Sequence, residues 1–148
     1  LAANQRFNAL FTQVQDYFTP DEAVVYKQAD RLIIRLKGMR FPVGRADITP
    51  DNHALLAKVQ KAIRTFGKPD VIIEGHTDTT GSVPKNEAIS RRRADAVRQF
   101  LVDNYTVTTD KITAVGFGSA HPVASNETAE GRAQNRRIDV IIQPRITR

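Results

Sequence analysis

An acid and an arginine stand where a loop should meet a helix, and their types and spacing suggest chemistry with charged groups. The acid is Asp78, in the segment Glu-Gly-His-Thr-Asp-Thr-Thr-Gly over residues 74–81. The arginine is Arg93, four residues after Ile89, inside a stripe of apolar residues at helical spacing. A guanidinium that faces a core is costly unless it meets an anion. We therefore expect Asp78 and Arg93 either to form a structural ion pair or to hold both charges of one zwitterionic ligand.

Two neighbouring elements are predicted to position this acid and arginine. The apolar run over residues 71–73 indicates a strand that is buried on both faces. Helical spacing follows over residues 84–105, with Ser82 as the N-cap. Asn86 lies on the same predicted helix face as Arg93. The apolar stripe of that face consists of Ile89, Val97, Phe100 and Leu101.

The other segments predict a sheet that is covered by helices. Helical spacing covers residues 4–18 and 49–67, and strand patterns cover residues 23–28, 32–39, 112–117 and 138–142. The second helix should begin with Thr49 as its hydroxyl cap and end at Gly67. Residues 41–48 and 118–132 read as loops. Strands joined through helices, in the core order strand, helix, strand, helix, strand, strand, predict an α/β fold, specifically an α+β sandwich.

Length, composition and charge narrow the class of protein. The 148 residues suit a single domain with a hydrophobic core, and no apolar run is long enough to span a bilayer. The absence of cysteine excludes disulfides and thiol catalysis. A formal net charge of +6 favours polyanionic surroundings such as nucleic acid, anionic lipid or an acidic cell-wall polymer. Because the sequence begins at Leu1, we expect a processed or partial chain that lacks a targeting segment or anchor.

Several features resemble catalytic or cofactor motifs without meeting their requirements. His76 precedes Thr77 and Asp78, but a hydrogen-bonded structural histidine explains it better than a catalytic one. His53 and His121 are not at metal-ligand spacing with His76, so no metal site is predicted. We identify no nucleophile–base pair and no complete dinucleotide fingerprint, so neither a catalytic residue nor a cofactor is expected.

Four spaced blocks of the chain carry a family resemblance. They are Gly75-His76-Thr77-Asp78-x-x-Gly81, Asn86-x-x-Ile89-Ser90-x-x-Arg93, Gly116-Phe117-Gly118 and Asn135-Arg136-Arg137. In order and spacing they resemble the OmpA-like C-terminal domain family, which includes the OmpA tail, the peptidoglycan-associated lipoprotein and the MotB periplasmic domain. The match spans residues 41–144. It implies a βαβαββ core whose mixed sheet is covered on one face by two main helices.

The resemblance also implies a division of the chain and a function. Residues 1–40 would be an added helix and strand extension, and residues 41–148 the OmpA-like domain. That domain is expected to bind peptidoglycan non-covalently in the periplasm of a Gram-negative bacterium, without being an enzyme. Asp78 would accept hydrogen bonds from the ammonium of diaminopimelate in the stem peptide. Arg93 would grip the carboxylate on the same carbon with its planar fork.

Other matched positions are expected around the same ligand pocket. They are Thr80, Asn86, Ile89, Asn135 and Arg136. One departure concerns the segment before the first core helix, where the family often has Phe-Asp-x-Asn and its asparagine can line the pocket. This chain has Phe41-Pro42-Val43-Gly44 instead, so that side chain is missing from one wall.

Alternative functions and partners follow from the same residues. A basic anion or nucleic-acid binder would explain the net charge, although the chain lacks a nucleic-acid motif. A cell-wall hydrolase would need Asp78 and Glu74 as paired carboxylates, and strand alternation disfavours that pairing. The partner that the resemblance implies is the peptidoglycan stem peptide, and nucleic acid is not expected. Membrane contact is expected only through a missing upstream anchor in the outer membrane, or in the inner membrane for a stator-like protein. A homodimer or a larger envelope complex stays open.

Overall fold

Five strands form one mixed sheet in the computed structural model of this protein, which describes residues 2–145. The elements are α1 (Ala2–Gln15), β1 (Ala23–Gln28), β2 (Arg31–Leu36), α2 (His53–Thr65), β3 (Asp70–His76), α3 (Val83–Asp103), β4 (Ile112–Gly116), α4 (Ala129–Asn135) and β5 (Arg137–Gln143). The strand order is β1-β2-β5-β3-β4. Strands β3 and β4 are parallel, and the other neighbours are antiparallel. The predicted α+β fold class is confirmed.

The hydrophobic core lies between one face of the sheet and helices α1, α2 and α3. Alternate residues of β2, β3 and β5 point into it, as period-two strands require. The buried strand side chains are Leu32, Ile34, Leu36, Val71, Ile73, Ile138, Val140 and Ile142. The helices bury Val14, Leu56, Val59, Ile63, Val97 and Leu101 against them. Burial of these side chains removes apolar surface from water and holds the helices on the sheet.

The N-terminal hairpin is an integral part of this sheet. Strand β2 pairs with β5 along five registered positions, from Leu32 opposite Ile142 to Leu36 opposite Ile138. Just after β2, the N–H groups of Lys37 and Gly38 both donate to the carbonyl of Glu22. The division into residues 1–40 and 41–148 remains a prediction.

The helix boundaries shift from the sequence-based expectation, most at the end of α1 and at the start of α2. Helix α1 ends at Gln15 rather than at residue 18. Helix α2 begins at His53, after a 3-10 turn over Pro50–Asn52. The predicted Thr49 cap is wrong: its hydroxyl makes no cap hydrogen bond to the backbone. Instead, that hydroxyl accepts a hydrogen bond from the side-chain amide of Asn52 at 3.2 Å.

A short helix occupies part of the segment that was predicted as a loop. Helix α4 begins after Thr128, whose hydroxyl accepts a hydrogen bond from the N–H of Gly131 at 3.0 Å. Gly131 packs so closely on the chain that an added Cβ would lie 1.8 Å from the carbonyl oxygen of Ser125. The loop prediction over residues 118–132 is therefore wrong at its C-terminal end.

The ends of α2 and α3 follow their predicted signals. The N–H of Lys85 donates to the hydroxyl of Ser82 at 3.3 Å, so Ser82 caps α3 as expected. Gly67 follows α2 with a φ of 79°, a left-handed conformation that favours glycine. Among the described residues, no helix is both long and apolar enough to cross a membrane.

Candidate functional site

The carboxylate of Asp78 lies just beyond the end of β3 and is almost buried, with a side-chain exposure of 8%. One oxygen accepts the N–H of Thr80 at 2.7 Å, and the other accepts the guanidinium of Arg136 at 2.5 Å. Burial alone would raise the pKa of Asp78, but the hydrogen bonds from Thr80 and Arg136 outweigh it and hold that pKa below its ordinary value. Asp78 is therefore a preformed anion.

Hydrogen bonds between three sequence blocks position this carboxylate. The N–H of Thr77 donates to the carbonyl of Gly118 at 2.8 Å, and the N–H of Gly118 donates to the hydroxyl of Ser90 at 2.9 Å. The side-chain amide of Asn86 donates to the carbonyl of Asp78 at 3.3 Å. The blocks over residues 75–81, 86–93 and 116–118 therefore meet at one end of the sheet, which gives their spacing a physical reason.

The face that α3 turns to the sheet shares only Val97 and Leu101 with the predicted apolar stripe. Its buried residues are Asn86, Ser90, Ala94, Val97 and Leu101. Ile89 and Arg93 lie on the flank of that face and are only partly buried. The prediction that Arg93 faces the core is corrected, because small side chains let α3 sit directly on β3 and β4 and leave Arg93 beside them.

Arg93 is held by the segment that replaces the usual asparagine-containing turn. Its Nε donates to the carbonyl of Arg45 at 2.9 Å and its Nη2 to the carbonyl of Pro42 at 3.3 Å. Its guanidinium also lies over the ring of Phe41, 4.9 Å from the centroid. Burial lowers the pKa of Arg93, and repulsion from Arg136 and Arg92 lowers it further. The carbonyl groups of Pro42 and Arg45 therefore lie on the side of the site where the family often has an asparagine side chain.

Of the two roles considered for Asp78 and Arg93, the direct structural ion pair is not formed, since the partner of Asp78 is Arg136. No carboxylate of the described residues forms a salt bridge with Arg93. Arg136 contacts Asp78, and its charge also acts on Arg93. The three charged groups therefore belong to one site, in which Arg136 links the carboxylate of Asp78 to the guanidinium of Arg93.

The other predicted site residues have unequal access to this site. Thr80 is exposed and contributes its backbone N–H, and Ile89 is partly exposed beside Arg93. Asn135 is fully buried. Its oxygen accepts the N–H groups of Val123 and Ala124, and its amide donates to the carbonyl of Ala124 and to Asn126. Asn135 therefore orders the loop before α4 and cannot itself meet a ligand at the surface.

A second charged cluster lies on the sheet face opposite the helices, and sequence reasoning missed it. Glu74, His76 and Asp139 bring their ligand atoms within 4.8 Å of one another. Asp139 also accepts hydrogen bonds from Arg35 and Arg137, so two fixed cations oppose a metal ion there. The cluster arises from the strand register, in which Asp139 of β5 lies opposite Glu74 of β3 on one side and opposite Arg35 of β2 on the other. Only a known sheet order reveals that register.

A cavity of about 580 Å³ lies away from these charged groups. It lies between α1 and the start of the hairpin turn, where Phe7, Lys27 and Phe66 line it. It shares no lining residue with the site around Asp78. The cavity has polar lining residues of its own, but none of them is a predicted site residue, so the functional assignment rests on the charged site.

The fold and the charged site define a small α+β domain with a carboxylate and two arginines in one site, and comparison with known proteins places it in a family. Residues 40–136 match the model of the OmpA family, and the chain belongs to that family. The chain is 35% identical over 105 residues to outer membrane porin F of Pseudomonas aeruginosa, covering 71% of this chain and 30% of that protein. It is 39% identical over 97 residues to the peptidoglycan-binding protein ArfA of Mycobacterium tuberculosis, covering 66% of this chain and 29% of that protein.

A solved structure extends the similarity over almost the whole chain. The cell wall anchor of the T6SS from Pseudomonas aeruginosa has a TM-score of 0.75 and 27% identity, covering 95% of this chain and 96% of that one. The predicted family resemblance is confirmed. The chain spans about 30% of the length of porin F and ArfA, so their whole-protein properties do not transfer to it directly.

Proposed function

We propose that this domain binds peptidoglycan non-covalently through the diaminopimelate of the stem peptide and so tethers an envelope protein or complex to the cell wall. The observation that carries the proposal is a charge arrangement. A buried carboxylate, Asp78, stands in one site with the partly buried guanidinium of Arg93, which has carbonyl partners and no described carboxylate partner. Such a site suits a ligand that carries both an ammonium and a carboxylate.

The ammonium of diaminopimelate would be accepted by Asp78. An ionised carboxylate has about four lone-pair directions, and two are used by Thr80 and Arg136. The remaining directions can accept N–H donors of an ammonium in charge-assisted hydrogen bonds. The lowered pKa of Asp78 keeps the carboxylate ionised at neutral pH.

The carboxylate on the same carbon would be held by Arg93. Of the five N–H donors of a guanidinium, two are taken by the carbonyls of Pro42 and Arg45. These two bonds and the ring of Phe41 fix the plane of the guanidinium while its other donors stay available. Backbone N–H groups at the start of α3 can add donors to the same anion. A planar group that is fixed in advance loses less entropy on binding.

The names of the similar proteins support this assignment. One relative is named a peptidoglycan-binding protein, and one solved structure is a cell wall anchor. Both support a binding role rather than catalysis, and we propose that this chain is not an enzyme. We place its action in the periplasm, at the end of an anchor that holds it to an envelope membrane. A nucleic-acid role, suggested only by the net charge of +6, has no observation of its own.

Co-sedimentation with purified diaminopimelate-containing sacculi tests the proposal. We expect Asp78→Ala or Arg93→Ala to lose binding while remaining folded. Truncating one partner of a desolvated charge pair costs about 2–5 kcal/mol, which corresponds to a loss of roughly thirtyfold or more in affinity. Free meso-diaminopimelate should compete with the sacculi for the wild-type protein.

Arg92→Ala is the matched control, because Arg92 is exposed on α3 one residue away and carries the same charge. It should bind as the wild type does, and moderate salt should weaken binding only modestly. If folded Asp78→Ala and Arg93→Ala proteins still sediment with sacculi, the proposed contacts are wrong. If Arg92→Ala fails as badly as Arg93→Ala, binding is general attraction to an acidic polymer.

A further inference from the structure

A second concave surface, which we call the basic groove, adjoins the charged site on the sheet face opposite α1–α3. It has a volume of about 360 Å³ and lies between α4 and the β1–β2 hairpin. Four of its lining residues are cations, namely Arg35, Lys37, Arg136 and Arg137. None of its lining residues is acidic. This composition favours an anionic ligand.

The positive charge of the basic groove is only partly balanced. Arg35 and Arg137 share one carboxylate, that of Asp139, which is itself buried. Lys37 donates to the backbone carbonyl of Pro20, a neutral partner. Burial lowers the pKa of Arg137, and repulsion from Arg35 lowers it further, against the attraction of Asp139. Glu74 lies beside Asp139 and adds a second carboxylate near the two arginines. Lys37 is then the lining cation that forms no salt bridge among the described residues, and its charge would attract an additional anion.

Arg136 connects the basic groove with the site around Asp78. It lines the groove and, at the same time, donates to the carboxylate of Asp78. Its side chain is about half exposed, at 49%, so it can reach a ligand from either side. If a ligand ammonium also binds Asp78, that carboxylate neutralises the charge of Arg136 less completely. A second anion beside Arg136 would then restore the balance of charge.

We propose that the basic groove binds a second carboxylate of the same stem peptide, on the residue that precedes diaminopimelate. The inference rests on the function proposed above and adds a specificity element to it. In the stem peptide the preceding residue is a glutamate that is linked through its side chain and keeps its α-carboxylate. Because Arg136 borders both sites, neighbouring residues of one peptide can fill them together. Lys37 and Arg35 would hold the glutamate carboxylate, and Arg136 would lie between the two ligand groups.

Calorimetric titration with three defined ligands tests this inference. The ligands are free meso-diaminopimelate, the tripeptide L-Ala-γ-D-Glu-meso-diaminopimelate, and the same tripeptide with the glutamate α-carboxylate amidated. We expect the wild type to bind the tripeptide roughly 3- to 30-fold more tightly than its amidated form, as for a partly exposed charge pair. Lys37→Gln and Arg35→Gln should abolish that difference and leave the affinity for free diaminopimelate unchanged.

Lys27→Gln is the control for loss of a charge from the hairpin. Lys27 lies on the helix side of β1, where it contacts Asn8 and the ring of Phe11. The Lys27→Gln variant should retain the full preference for the unamidated tripeptide. A preference lost equally in Lys27→Gln and Lys37→Gln would mean that only net charge matters, and would overturn the inference.

The remaining outcomes separate this inference from the proposed function. If free diaminopimelate binds but amidation of the tripeptide changes nothing, the inference about the groove fails alone. If neither diaminopimelate nor the tripeptide binds, the proposed function fails and the inference fails with it. Binding to phosphatidylglycerol vesicles that requires Lys37, with no effect of Lys37 on the tripeptide, would assign the groove to lipid phosphate and overturn the inference.

Discussion

The guanidinium of Arg93 is fixed by its surroundings in a way that an ammonium could not reproduce. It donates to the carbonyls of Pro42 and Arg45 and lies over the ring of Phe41. We expect Arg93→Lys to lower the affinity for sacculi about tenfold or more, because a lysine is a single-point donor without the planar fork. Sedimentation at several protein concentrations measures the change. Arg92→Lys, on the exposed neighbour, should bind normally, and equal binding by both variants would refute a role for fork geometry.

The ionisation of Asp78 should affect the stability of the domain at acid pH. Its pKa in the folded state is below its ordinary value of about 3.9. Its contacts therefore stabilise the fold above about pH 4, and this contribution is lost as the pH falls through the lower, folded-state pKa. We expect Asp78→Asn to be less stable than the wild type at pH 6, with the difference shrinking below pH 4. Urea unfolding at each pH measures it.

Other acids do not obscure this measurement, because both proteins contain them. Glu22 and Asp110 also have lowered pKa values, and their effect cancels in the comparison of wild type with Asp78→Asn. A difference in the free energy of unfolding that stays constant from pH 6 to pH 2 would show that the carboxylate charge of Asp78 does not stabilise the fold.

At the scale of residues, the sequence revealed which groups are charged but not which ones meet. Asp78 and Arg93 were identified from a motif and an interrupted stripe. The actual partner of Asp78 is Arg136, 58 positions away, and only the pairing of β3 with β5 brings it there. Asn135 matched a family position, yet its complete burial follows from the course of the loop, which spacing does not predict.

The contact between α3 and the sheet depends on two glycines at the ends of β3 and β4. An added Cβ at Gly75 would lie 2.1 Å from the carbonyl oxygen of Ser90, and one at Gly116 would lie 2.4 Å from the backbone nitrogen of Arg91. Because these neighbours are backbone atoms of a helix, α3 would have to move as a whole. Helix α3 carries Asn86 and Arg93, so the same glycines position the site.

Gly75→Ala is therefore predicted to reduce both stability and binding. We expect a decrease of about 1–3 kcal/mol or more in the free energy of unfolding, as for an overpacked core. Urea denaturation and sacculus sedimentation measure the two effects. Gly38→Ala is the control, since an added Cβ there meets no atom closer than 3.6 Å, and it should stay within about 0.5 kcal/mol of the wild type. Equal stability of the two variants would contradict the close-packing argument.

At the scale of elements, strong periodicity predicted well, whereas capping signals held at Ser82 and Gly67 and failed at Thr49. The strands, α2 and α3 all lie where apolar periodicity placed them, with shifts at their ends. Helix α4 was missed because its seven residues, AEGRAQN, include a glycine and carry no apolar periodicity. Its stability comes from the local Thr128 cap and from the packing of Gly131 and Asn135, and only the packing is a tertiary feature.

At the scale of the whole molecule, binding through net charge and binding through a specific site predict different preferences among cell walls. A formal net charge of +6 attracts the protein to any acidic polymer, whatever its stem peptide contains. The proposed site instead needs an ammonium and a carboxylate on one carbon. Diaminopimelate offers both, whereas lysine at the same stem position offers only the ammonium.

We therefore predict strong binding to diaminopimelate-type wall and much weaker binding to lysine-type wall stripped of its attached polymers. Without the ligand carboxylate, Arg93 would lose water without gaining an anion, a penalty of about several kcal/mol. Free meso-diaminopimelate binds only the folded state in this scheme, and at about a hundred times its dissociation constant it should raise the melting temperature by roughly 5 °C or more. Free lysine should not. Equal sedimentation with both wall types, together with no thermal shift from diaminopimelate, would leave the fold intact and refute the proposed ligand.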